Sequence, residues 1–155
     1  MTKSCYRCKI MIGNLKNTII LSSGEKELHI TMEHIRQYLC DVKEAVRNQR
    51  YRLDRNTKRQ DNINLFLDYV IDEAKVKEII LRLTENDFSE ILQNKHKGYE
   101  HEQLYVFGKD VVLLERNGIE QTTVSLYIKF NKLDNGFLIV ISFHKQKRPL
   151  TYYFK

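Results

Sequence analysis

The stretch SLYIKFNKLDNGFLIVISFHK, residues 125–145, constrains the fold more than any other part of the chain. Asn135-Gly136 separates two segments in which apolar and polar residues alternate. This is the strongest short-range hairpin signal, because a two-residue type I′ turn needs positive φ at both central positions. With that dipeptide at the tip, Ile128 opposes Phe143 and Phe130 opposes Ile141 on one face. On the other face Tyr127 opposes His144, and Lys129 opposes Ser142. A one-residue slip would send all of these side chains to the wrong face, so the pattern specifies the register. Directly opposed Cβ atoms lie about 4.5–5.5 Å apart, and the four polar residues are expected to form one patch.

Upstream, apolar residues at helical spacing (Met32, Ile35, Leu39, Val42, Val46) predict a helix over about 32–49, with Thr31 placed to cap it. A second amphipathic helix is expected over 74–83. Thr84 and Asp87 resemble a capping box that opens a third helix through Phe88, Ile91 and Leu92. NINLFLDYVID, between the basic segment and the second helix, is apolar but of undetermined type. From Gln103 onward LYVFG, DVVLLER, TVSLYIKFNK, GFLIVISFH and LTYYFK read as strands. Residues 1–30 look like a separate small β element, with Gly13-Asn14 and Gly24 between short apolar runs. The expectation is an α+β domain over 31–155, N-terminal helices packed on a C-terminal antiparallel sheet.

Charge is unevenly placed. The chain carries 26 Lys and Arg against 20 Asp and Glu, a net charge of +6. Residues 47–59 contain six basic residues and one acid, and residues 145–155 four basic residues and none, so the remainder is net acidic. A localised basic surface points to a polyanion, because phosphate contacts and released counterions dominate such binding. The candidate RNA contacts are therefore Arg50, Arg52, Arg55, Lys58 and Arg59 in the first cluster, and Lys145, Lys147 and Arg148 in the second. No run is long and apolar enough to span a bilayer, and MTKSCYRCK lacks the apolar core of a signal peptide, so a cytoplasmic protein is expected.

The hairpin patch carries chemistry as well as shape. Metal-free RNA cleavage needs one group to deprotonate the ribose 2′-OH and another to protonate the leaving 5′-oxygen. It also needs a cation against the pentavalent phosphate. His144 is the side chain best suited to proton transfer near neutral pH. Tyr127 can donate or orient, and Lys129 can neutralise charge. The alternative is an ordinary solvated sheet face, on which Tyr, Lys and Ser are common. The C-terminal strands hold no carboxylate cluster suited to Mg²⁺, so neither a metal nor another cofactor is expected.

Several pieces taken together resemble the MqsR family of type II toxins, mRNA interferases of the RelE-like α+β fold. They are YLCDVKEAVRNQRYRL, RNTKRQDNI, EIILRLTENDF, LYVFGKD, LYIKF and VISFHKQKRPLTYYF, in order from about Ile35 to Phe154. The resemblance implies a metal-independent endoribonuclease that cleaves single-stranded mRNA by 2′-OH attack. It places the family's Tyr-x-Lys on Tyr127 and Lys129, and its Ser-Phe-Lys, or Ser-Phe-His, on Ser142 to His144. Two positions depart from the family pattern: Glu90 stands where the family has a Lys, and Val106 where it has a Gln. The segment SCYRCK resembles the zinc module of the family's antitoxins. Cys5, Cys8 and Cys40 leave it one ligand short of a tetrahedral site, with His34 the nearby substitute. Expected partners are RNA and a cognate antitoxin. A second reading keeps the fold without cleavage: an RNA- or ribonucleoprotein-binding inhibitor from a mobile element, such as an anti-CRISPR protein.

Overall fold

The computed structural model describes residues 29–155. It is an α+β fold. Helices α1 (Met32–Arg47), α2 (Gln60–Asp68) and α3 (Glu73–Leu81) accompany strands β1 (Tyr51–Leu53), β2 (Phe88–Gln93), β3 (Gln103–Leu114), β4 (Gln121–Lys132) and β5 (Leu138–Lys145). The five strands form one sheet in the order β1-β5-β4-β3-β2. Strands β2 to β5 are antiparallel neighbours, but β1 runs parallel to β5, so the sheet is mixed rather than purely antiparallel. Residues 51–53 lie inside the basic segment 47–59, which showed no strand signal. Their alternating pattern pairs three residues with Leu138, Ile139 and Val140 of β5.

Thr31 caps α1 as expected, its Oγ1 accepting the His34 N–H at 3.1 Å. Asp72 caps α3 in the same way through the Lys75 N–H at 2.8 Å. The undetermined apolar stretch forms most of α2. The expected third helix is absent: Thr84 and Asp87 form a capping box around a single 3₁₀ turn, Glu85–Asp87, and the chain then enters β2. The Asp87 carboxylate accepts from the Thr84 N–H at 2.8 Å and from the Lys109 ammonium at 2.9 Å. Tertiary pairing of 88–93 with β3 overrides the local helix signal. LYVFG and DVVLLER, read as two strands, are one strand of 12 residues. LTYYFK is not a strand. Instead the tail crosses the sheet and is pinned by the Tyr153 N–H to the Phe88 carbonyl at 3.0 Å.

The core lies between the helices and one sheet face. Ile35, Leu39 and Val42 of α1 and Val76, Ile79 and Ile80 of α3 meet Phe107, Ile128, Phe130 and Phe143. Tyr38 stacks on Tyr105 with ring centroids 3.7 Å apart. On the opposite face Gly108 lies under the tail. A Cβ there would fall 2.5 Å from the Tyr152 hydroxyl oxygen and 2.8 Å from Leu150 Cδ1, so glycine is what allows the tail to lie flat.

The hairpin register holds from Leu126–Lys145 to Lys129–Ser142 and then shifts. Phe130 pairs with Val140, not Ile141, which becomes the extra residue of a β-bulge. The turn differs too. Leu133 and Phe137 close a loop in which Gly136 has φ +81°, whereas Asn135 is not among the residues with positive φ. This is a three-residue turn ending in a left-handed glycine, not a two-residue type I′ turn.

The expected N-terminal β element, with Cys5 and Cys8 and the resemblance to a zinc module that they carry, lies outside the described residues apart from 29 and 30.

Candidate functional site

Strand register alone builds the centre of the site. Tyr127–His144 and Lys129–Ser142 are opposed pairs on the sheet face away from the core. The Tyr127 and His144 rings stack with centroids 5.2 Å apart and planes 14° from parallel. All four residues line an open cleft of about 780 Å³. Its other walls come from the start of α2, from β2 and from the tail, and they include Arg59, Lys147, Arg148, Ser89, Glu90 and Tyr153.

Asn62 of α2, 1% exposed, positions β5 within this site. Beyond Val140 the β1 strand ends, leaving the edge of β5 without a backbone partner. The Asn62 side chain takes over, its Nδ2 donating to the Ile141 carbonyl at 3.0 Å and its Oδ1 accepting the Phe143 N–H at 2.8 Å. The same Nδ2 donates to the Asp54 carbonyl at 2.7 Å, which ties the β1–α2 connection to the bulge. Ser142 and His144 therefore sit on a backbone clamped from two sides. The tail wall is fixed in a similar way: Ser89, the extra residue of a bulge in β2, donates its hydroxyl to the Thr151 carbonyl at 2.7 Å.

The protonation geometry is defined. His144 Nδ1 lies 2.9 Å from the Lys145 carbonyl oxygen, an acceptor, so Nδ1 carries hydrogen and Nε2 is the nitrogen open to proton exchange. Burial, reinforced by the Glu90 charge, raises the Tyr127 phenol above its ordinary range, so Tyr127 keeps its proton at neutral pH. Burial, with Arg59 nearby, lowers the Lys129 ammonium. Asp61 forms a 2.7 Å ion pair with Lys147, and that hydrogen bond, followed by the Lys147 and His144 charges, holds its carboxyl below the usual range.

Not every sequence candidate gathers here. Arg59, Lys147 and Arg148 line the cleft beside Tyr127, Lys129 and His144. Arg50 instead donates to the Asn135 carbonyl at the hairpin tip. Arg52 and Arg55 border a separate depression with Tyr51 and Glu73, and Arg55 stacks over Phe66 at 4.3 Å. Lys58 is exposed in the turn before α2, and Lys145 faces the depression along α2. Sequence reasoning missed Asn62, Ser89 and the tail wall. Asn62 left one faint signal, a polar residue three positions before Leu65 on the inward stripe of α2.

The fold and the cleft define an α+β protein with an open, predominantly cationic polar cleft on its sheet face. Family models, curated proteins and solved structures provide no match to this chain. No helix among the described residues is long and apolar enough to cross a membrane.

Proposed function

We propose that this cleft is the active site of a metal-independent endoribonuclease of the mRNA-interferase type, acting on single-stranded RNA in the cytoplasm. The supporting observation is the convergence of a stacked Tyr127–His144 pair with Lys129 and Arg59, in a cleft whose other cations are Lys147 and Arg148. The reaction is attack of the ribose 2′-oxygen on phosphorus with expulsion of the 5′-oxygen, giving a 2′,3′-cyclic phosphate and a 5′-hydroxyl. His144 exchanges a proton through Nε2, while Lys129 and Arg59 stabilise the extra negative charge of the pentavalent phosphate. Tyr127, held neutral, donates a hydrogen bond and keeps the His144 ring in plane. Lys147 and Arg148 hold the flanking phosphates. A cognate antitoxin covering the cleft fits this reading.

The second reading, an RNA- or ribonucleoprotein-binding inhibitor without cleavage, draws support from Glu90, a carboxylate facing the place where a phosphate would bind. One experiment separates the two. Purified protein is incubated with a defined RNA in EDTA, and the new ends are mapped. Cyclic-phosphate ends carry the nuclease reading; intact RNA that remains bound carries the inhibitor reading.

A further inference from the structure

Glu90 is the one feature of the cleft that a simple phosphate-binding site does not explain. It is exposed on β2, and among the described residues its carboxylate forms neither a hydrogen bond nor an ion pair. Yet Arg59, Lys129, Lys147 and Arg148 line the same cleft. A carboxylate that only had to be tolerated there would pair with one of these cations.

The register places it. Glu90 of β2 pairs with Val106 of β3, Val106 with Lys129 of β4, and Lys129 with Ser142 of β5. Lys129 thus lies between Glu90 on one side and His144, two residues beyond Ser142, on the other, with Val106 as an apolar floor. Three strand spacings and a two-residue step put the Glu90 and His144 backbones about 16 Å apart. In an in-line displacement the group that takes the 2′ proton and the group that gives the 5′ proton stand on opposite sides of the phosphorus. Glu90 and His144 line the same cleft from opposite sides of Lys129.

We infer that Glu90 is a catalytic residue, the general base that takes the 2′ proton, and that His144 is the general acid that protonates the leaving 5′-oxygen. This rests on the nuclease reading and deepens it. The 2′-O–H proton passes to the Glu90 carboxylate as the O2′–P bond forms. The P–O5′ bond breaks as the imidazolium Nε2–H proton passes to O5′. The enzyme is left with a protonated carboxyl and a neutral imidazole, and solvent exchange restores both. The position of Glu90 also explains its effect on Tyr127, which stacks on His144 and feels the Glu90 charge. The charged and titratable groups facing the pair are Tyr127 and Lys129 from β4, Arg59 and Asp61 from the start of α2, and Lys147, Arg148 and Tyr153 from the tail.

The test is single-turnover cleavage of a defined RNA in EDTA across pH 4.5–9.5, for the wild type, Glu90→Gln and His144→Ala. Glu90→Gln preserves shape at an exposed position, and circular dichroism verifies its fold. The wild type gives a bell-shaped profile. Glu90→Gln is slowed about 10²–10⁴-fold with little change in KM, and its profile loses the acid limb. His144→Ala is slowed to a similar degree and loses the alkaline limb. A Glu90→Gln variant that cuts as fast as the wild type or faster, keeps the acid limb, or fails through KM alone overturns the assignment. In each of those outcomes the wild type still cuts, so the nuclease reading survives. A wild type that leaves RNA intact sinks both.

Discussion

Two clefts of nearly the same size open on this molecule, and their chemistry is opposite. The cleft at Tyr127 and His144, about 780 Å³, is lined by four permanent cations and two carboxylates. The cleft between α1 and the start of β3, about 760 Å³, is lined by Glu33, Asp41, Glu102 and Asp134 against Lys132 as its one permanent cation. In the acidic cleft some of the polar groups pair with one another. Lys132 bonds Asp41 at 2.6 Å, and His34 lies 2.8 Å from the Tyr105 hydroxyl. In the cationic cleft Lys129, Arg148 and Glu90 have no ion-pair partner among the described residues. Volume therefore does not identify the site. What separates the two is the sign of the charge around groups able to move a proton: net negative in one, net positive in the other.

The largest expected effect tests that separation directly. Lys129→Ala and His144→Ala each lower RNA cleavage by about 10²–10⁴-fold, whereas Lys132→Ala in the acidic cleft leaves the rate unchanged. Equal losses at Lys132 and Lys129 would break the comparison. Next comes the clamp. Asn62→Ala leaves the Ile141 carbonyl and the Phe143 N–H without partners, costing about 2–4 kcal/mol in a urea melt. A cost under about 0.5 kcal/mol would mean that β5 is held by its neighbours alone. A smaller effect is expected of the rim. Lys147→Ala or Arg148→Ala reduces the slope of log affinity against log salt by about 1, while Arg52→Ala, outside the cleft, leaves it unchanged. The smallest concerns Lys129 itself. Burial lowers its folded-state pKa, so the unfolded chain binds that proton more tightly and the charged lysine costs stability at neutral pH. That cost fades as pH rises toward the ordinary lysine range. Lys129→Met is expected to raise the melting temperature slightly at pH 7 and less at pH 10, while abolishing cleavage.

The parts of this comparison legible in the sequence are those set by local alternation. The register from Leu126 to Lys129 follows from side-chain periodicity, and it carries Tyr127, Lys129 and His144 to one face. The bulge at Ile141 was not legible, because its cause is Asn62, about 80 residues earlier in the chain. β2 was misread for the opposite reason. Its local signal was strong, since Thr84 and Asp87 do form the box, but one turn later pairing with β3 prevails. The basic segment 47–59 showed its charge in the sequence but not its division, because Arg50, Arg55 and Arg59 point to three different neighbours.

β5 lies between β1 and β4, although it follows every other described strand in sequence. Until residues 138–145 are in place, β1 has no strand partner among the described residues and β4 presents an open edge, so the sheet is completed next to its edge by a strand remote in sequence. Without β5 the sheet would lose the seam that joins β1 to its other strands, and His144 with it. The strand that ties β1 into the sheet thus also carries His144, so the sheet and the candidate site are completed in the same step.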